Sequence, residues 1–100
     1  MDEATKTKRT LSPEFLSIIE NGDGIDIGCG PDPISPNVYG FDLSQGDANC
    51  VSKYVNKQFD FVFSSHCLEH MHDPHVTLRD WWSIIKPGGY LFLAVPDEDL

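Results

Sequence analysis

The sequence predicts an α/β domain built on a mostly parallel sheet, and three observations carry that expectation. Ile25-Asp26-Ile27 is a short apolar strand with one acid in it, running straight into the Gly-x-Gly turn Gly28-Cys29-Gly30. Phe59-Asp60-Phe61-Val62-Phe63-Ser64 is continuously apolar after Asp60, the pattern of a central strand buried on both faces. Two further segments, Ser12-Pro13 and Asp73-Pro74, open with a capping residue and a proline and continue with apolar residues at helical spacing.

Residues 1–10 read as a polar, flexible tail, and residues 11–100 as a single domain. In the first helix Ser12 caps, Pro13 takes the first helical position, Leu11 and Leu16 stand where a hydrophobic staple puts them, and Phe15, Ile18 and Ile19 form the face that covers the sheet. Asn21-Gly22-Asp23-Gly24 ends that helix and delivers the chain into the first strand. Between the first strand and the second, Val38-Tyr39-Gly40-Phe41-Asp42-Leu43, residues 28–37 include Pro31, Pro33 and Pro36, so no ordinary helix forms there and the crossover is an extended, proline-stiffened loop.

Residues 45–57 are too few for a full strand and a full helix, so the third strand is expected as a stub near residues 47–51. The fourth strand follows at residues 59–64. Val76, Leu78, Trp81, Trp82, Ile84 and Ile85 give the second helix a wide apolar face, with the two adjacent tryptophans pointing different ways, one into the core and one outward. Pro87-Gly88-Gly89 stops that helix, and residues 90–95 form the fifth strand.

Charge and cysteine usage narrow the function classes. Sixteen acidic residues against seven basic ones give a formal charge of −9, which argues against the clustered basic face that nucleic-acid binding needs. Cys29, Cys50 and Cys67 lack the spacing of a zinc site or a disulfide framework and suit a reducing cytoplasm. No stretch approaches the roughly 20 apolar residues that cross a bilayer, so neither a membrane nor a nucleic acid is expected as a partner. A lone Gly-x-Gly is weak evidence of a ligand, yet Asp26 beside it carries information: a carboxylate there would repel a pyrophosphate and suits an ammonium or a sulfonium.

Five strings in order, Asp26-Ile27-Gly28-Cys29-Gly30, the acid-ended strand at Asp42, Gly46-Asp47-Ala48, the run from Phe59 through Leu68-Glu69-His70, and Lys86-Pro87-Gly88-Gly89, resemble the class I S-adenosylmethionine-dependent methyltransferases, especially the small-molecule branch. The resemblance covers roughly residues 22–96. It implies a Rossmann-like sheet of strand order 3-2-1-4-5 that lacks the family's C-terminal strands 6 and 7. It implies methyl transfer from S-adenosylmethionine to a small-molecule acceptor, or otherwise a catalytically inactive cofactor-binding module, or the front part of a longer enzyme. The cofactor would be held by Asp26, Gly28, Cys29 and Gly30 at its methionine end, by Asp42 and Leu43 at the ribose, by Asp47 and Ala48 at the adenine, and by Ser64 and Ser65 at the end of the fourth strand. Asp32 stands where the family usually carries a third small residue.

His66, Glu69 and His70, at i, i+3 and i+4, would share one helical face, suited to a divalent metal or to a general base. They resemble the Glu-x-x-Glu-His metal set of some quinone-pathway O-methyltransferases, with a histidine in place of the first glutamate. No metal is assigned, and His66 and His70 are the candidates for proton handling. His72 and His75 are expected in solvent. The strand at 91–95 is expected to be an exposed apolar edge, either of a truncated or naturally shortened chain or of a homo-oligomer that pairs it with a second copy.

Overall fold

A computed structural model describes residues 12–28, 33–65 and 67–94. Four parallel strands, β1 (Gly24–Ile27), β2 (Tyr39–Phe41), β3 (Phe59–Ser65) and β4 (Ile85–Ala94), form one sheet in the order β2-β1-β3-β4. Helix α1 (Pro13–Asn21) precedes β1, and α2 (Pro74–Ser83) joins β3 to β4. Short 3₁₀ segments occupy Ala48–Lys53, broken at Cys50, and Leu68–His70. This is the expected parallel α/β, Rossmann-like architecture with β1 and β3 at its centre.

Both helices begin as their sequences dictate. The Ser12 hydroxyl accepts the Phe15 amide at 3.3 Å, and the Asp73 carboxylate accepts the amides of His75 at 3.1 Å and Val76 at 3.4 Å, with proline in the first turn each time. These bonds satisfy N–H groups that a helix cannot satisfy internally. Leu11, the other half of the expected staple, lies outside the described residues, as does the tail at 1–10.

The pleat sorts the core onto two faces. Ile25, Ile27 and Val62 pack with Phe41, Val51, Trp81 and Ile84 on the α2 side. Phe61 and Phe63 point the other way, with Ile19 and Ile34 on the α1 side. Full burial of each phenylalanine contributes about 1.5–3 kcal/mol relative to exposure. Phe61 lies across the start of β1, where a Cβ on Gly24 would fall 2.1 Å from its ring, so only glycine fits there. Phe15, on the outer part of α1, sets its ring edge-on to Phe92 with centroids 5.4 Å apart.

A reciprocal tie fixes β1 against β3 at their amino ends. The Asp60 amide donates to the Asp23 carbonyl at 2.7 Å, and the Asp23 amide donates to the Asp60 carboxylate at 2.9 Å. Lys86 reaches the other Asp60 oxygen at 3.4 Å.

Three expectations are corrected. The third strand is not formed: Asp47 caps a 3₁₀ helix there, so the 3-2-1-4-5 order is realised, among the described residues, as its 2-1-4-5 part. The second helix ends at Ser83, with Ile84 as its cap, and Ile85 already pairs with Phe59; the next pair is Phe61 with Tyr90, so residues 86–89 form a bulge inside β4 and do not precede it. The apolar face of α2 is also narrower than expected, because Val76 is exposed and the buried positions are Thr77 and Trp81. Trp81 is fully buried and Trp82 is 58% exposed, dividing the pair as expected. No helix among the described residues is long and apolar enough to cross a membrane.

Candidate active site

Because all four strands run the same way, their carboxyl ends share one edge of the sheet. The register pairs Ile27 with Phe41 on one side and with Ser64 on the other. The next residues, Asp42, Gly28 and Ser65, therefore stand in one row across β2, β1 and β3, with neighbouring strands about 4.8 Å apart. Ser65 in turn pairs with Ala94 of β4. The chain leaves β1 for β2 on one side, while β3 adds on the other, which makes this the topological switch point where open parallel sheets bind ligands.

Each member of the row is fixed by a local contact. The Gly28 amide donates to the Phe41 carbonyl at 2.7 Å, and Gly28 has φ +77°, a left-handed conformation that favours glycine. Asp42 opens a turn: its carboxylate accepts the Leu43 amide at 2.8 Å, and its carbonyl accepts the Gln45 amide at 2.9 Å. Leu43, at 90% exposure, presents an apolar side chain to solvent on that turn. The Ser64 hydroxyl donates to the Ile27 carbonyl at 2.8 Å and locks the ends of β1 and β3 together. The Ser65 hydroxyl oxygen is buried and has no hydrogen-bond partner among the described residues.

Asp26 is buried, and its carboxylate accepts the Ile34 amide at 2.7 Å. It thus holds the returning arm of the β1–β2 loop, in addition to sitting under the turn as its sequence position suggested. Cys29 and Gly30 lie outside the described residues. The Asp47 carboxylate accepts both the backbone and the side-chain N–H of Asn49 at 2.9 Å, and these bonds hold its carboxyl below the usual range. Ala48 is half-buried, and its carbonyl accepts the Trp81 indole N–H at 2.9 Å.

The helical face expected for His66, Glu69 and His70 is not described. The 3₁₀ helix starts at Leu68, and His66 lies outside the described residues. His70 is exposed and its imidazole sits 3.8 Å from the Glu69 carboxylate. His72 and His75 are exposed, as expected.

Cys67 was not singled out by sequence reasoning. It packs against Gly28 at the centre of the row. Burial pushes its thiol up, a hydrogen bond with Ser64 works against this, and the carboxylates of Glu69, Asp42 and Asp26 push the same way as burial. Three acids thus act on one point beside Gly28, making this edge favourable to a cation. Two cavities, of about 360 and 390 Å³, open at the opposite, amino edge of the sheet, one beside Asp23, Tyr39 and Phe59 and the other beside Gly22, Asp60 and Gly89. Neither is lined by a residue of the row; the switch point, with its chemistry, is the better candidate.

A family model described as a methyltransferase domain matches residues 3–100. The chain belongs to the methyltransferase domain family. No solved structure matches it. Methyl transfer is the activity of that family, and S-adenosylmethionine is the donor such domains generally use. Within this methyltransferase domain, the row at the switch point combines a glycine of left-handed backbone, the acid that follows β2 and a buried hydroxyl, with Asp26 buried within β1 beside it.

Proposed function

We propose that this methyltransferase domain binds S-adenosylmethionine across the row Asp42–Gly28–Ser65 and transfers its methyl group to a small-molecule acceptor. The observation that carries the reading is the register that sets Asp42 and Gly28 side by side at the switch point, with the Gly28 amide bonded to Phe41.

The residues present fit that cofactor. The buried Ser65 hydroxyl lacks a partner among the described residues at this edge, and the field of Asp26, Asp42 and Glu69 suits a positively charged sulfur and ammonium. When bound, the cofactor supplies an electrophilic methyl group on a sulfonium. Asp42 would accept hydrogen bonds from the ribose hydroxyls, Leu43 and Ala48 would offer apolar surface to the base beside Asp47, and the Ser65 hydroxyl would find its missing partner in the ligand. Asp26 would act from below, through the Ile34 amide, by keeping the loop in place. The protein's main contribution is orientation, because an in-line displacement needs aligned partners more than a special catalyst. Where an acceptor must lose a proton, His70 is the described candidate to take it, its imidazole 3.8 Å from the Glu69 carboxylate. The three cysteines, two of them described and free, suit a reducing cytoplasm.

Titration calorimetry with S-adenosylmethionine and S-adenosylhomocysteine tests the reading. Asp42→Ala is expected to weaken both by about 1.5–3 kcal/mol, the usual cost of losing hydrogen bonds to a charged acceptor. No heat from the unaltered domain would defeat the cofactor assignment. Tight binding with no methylated product from any acceptor would leave a cofactor-binding module without the transferase activity.

A further inference from the structure

A broken 3₁₀ helix cannot hold its own position. Ala48–Lys53 has non-helical backbone at Cys50, so it consists of two single turns, each too short to be stable alone. Each turn is held from α2. The Ala48 carbonyl accepts the Trp81 indole N–H at 2.9 Å, while the amide of the same peptide unit, on Asn49, donates to Asp47 at 2.9 Å. A trans peptide points its carbonyl and its N–H in opposite directions, so this unit is gripped from the core on one side and from the surface on the other. The second turn is tied by Asp80, whose carboxylate accepts the Ser52 amide at 3.0 Å and the Ser52 hydroxyl. The His72 amide donates to the Asn49 side chain at 2.9 Å, adding a third tie from the approach to α2.

We propose that Trp81 and Asp80 are positioning residues for base selectivity, holding the Asp47–Ala48 segment at the distance and tilt at which it meets the base of the nucleoside. This rests on the reading that Asp47 and Ala48 face that base. Neither α2 residue touches the ligand. Trp81 is fully buried, and its hydrogen bond orients a single peptide plane. The two ties act on consecutive turns, so loss of either lets the segment shift while the ribose anchor at Asp42, on a separate turn, stays where it is.

The test compares S-adenosylhomocysteine with S-inosylhomocysteine, which differ only at the base, by titration calorimetry of the full chain. Trp81→Phe removes the indole N–H and keeps an aromatic ring; Asp80→Ala removes the second tie. Each is expected to lower affinity for the adenosyl ligand about fivefold, as for loss of one hydrogen bond, and to shrink the adenosyl-to-inosyl preference. Asp42→Ala is expected to weaken both ligands equally and leave that preference intact. A general loss of stability moves both affinities together and cannot change their ratio. An unchanged ratio in a folded variant overturns the proposal, and Asp80→Ala, placed nearer the surface, gives that answer where Trp81→Phe fails to fold. Failure of the unaltered protein to bind either conjugate overturns the cofactor reading and this proposal with it.

Discussion

Gly28 and Cys67 stand so close that a Cβ built on Gly28 would lie 2.9 Å from the Cβ of Cys67 and 3.0 Å from its sulfur. Gly28→Ala therefore meets two penalties, the left-handed backbone and the contact. The first alone costs about 1–2 kcal/mol. Chemical denaturation should show at least that loss, and calorimetry should show cofactor binding abolished. Adding Cys67→Gly relieves the contact and leaves the backbone penalty, so the double variant should recover part of the stability. No recovery would mean that the contact is unimportant.

Asp26 and Ile34 offer a second test. Asp26→Ala leaves the Ile34 amide without its acceptor in a buried place, which costs about 1–3 kcal/mol. Asp26→Asn retains an acceptor oxygen and should lose less. If loop placement is what Asp26 contributes, affinity for S-adenosylhomocysteine should fall in the order native, Asn, Ala. Equal loss in both variants would instead point to a direct effect of its charge.

Asp60 gives a pH dependence with a definite sign. Its carboxyl is held below the ordinary 3.8, first by the Asp23 amide, with burial working the other way, and then by Lys86 and Lys57. A depressed carboxylate contributes stability that is complete above its unfolded pKa and is lost as pH falls through its folded one, so the loss begins near pH 4 and runs downward. The side chain is 45% exposed, so solvent screening keeps the contribution to about 0.5 kcal/mol. Asp60→Asn preserves an acceptor for Asp23 and should flatten this part of the acid limb, measured as urea midpoints from about pH 6 to about pH 2.5. An unaltered limb would show that Asp60 does not contribute to it.

The Cys67 thiol, raised chiefly by burial, should react slowly at neutral pH. Site-resolved mass spectrometry is expected to show its alkylation by iodoacetamide slower than that of free cysteine, because the thiolate is the nucleophile. S-adenosylhomocysteine should slow it further if the ligand lies over Gly28. Labelling that ignores the ligand would move the binding site away from this residue.

Much of the frame was legible in the chain because it depends on local chemistry. Ser12-Pro13 and Asp73-Pro74 announce helix starts, and the apolar run after Asp60 announces a buried central strand. The split between Trp81 and Trp82 follows from helical geometry alone. The errors lie where distant residues decide. Asp47 could begin a strand or cap a helix, and the indole of Trp81, far along the chain, reaches the second outcome. Ile85 reads as helix by spacing, yet its pairing with Phe59 draws it into the sheet and leaves residues 86–89 as a bulge. Asp26 was legible as an acid under a turn, whereas its bond to Ile34 depends on how the loop returns. Cys67 carries no spacing signal, because its importance comes from a glycine far earlier in the sequence.

The mutual grip of Asp23 and Asp60 reaches further than its own corner. Sliding β3 by one position along β1 would shift one strand by about 3.3 Å and turn its inward side chains outward. Phe61 would leave the niche above Gly24, and at the far rim Ser64 would lose Ile27. Alignment set where the strands begin is thus delivered, like the zero mark of a ruler, to the place where chemistry would occur, so a substitution remote from any ligand can spoil the fit by changing only where the counting starts.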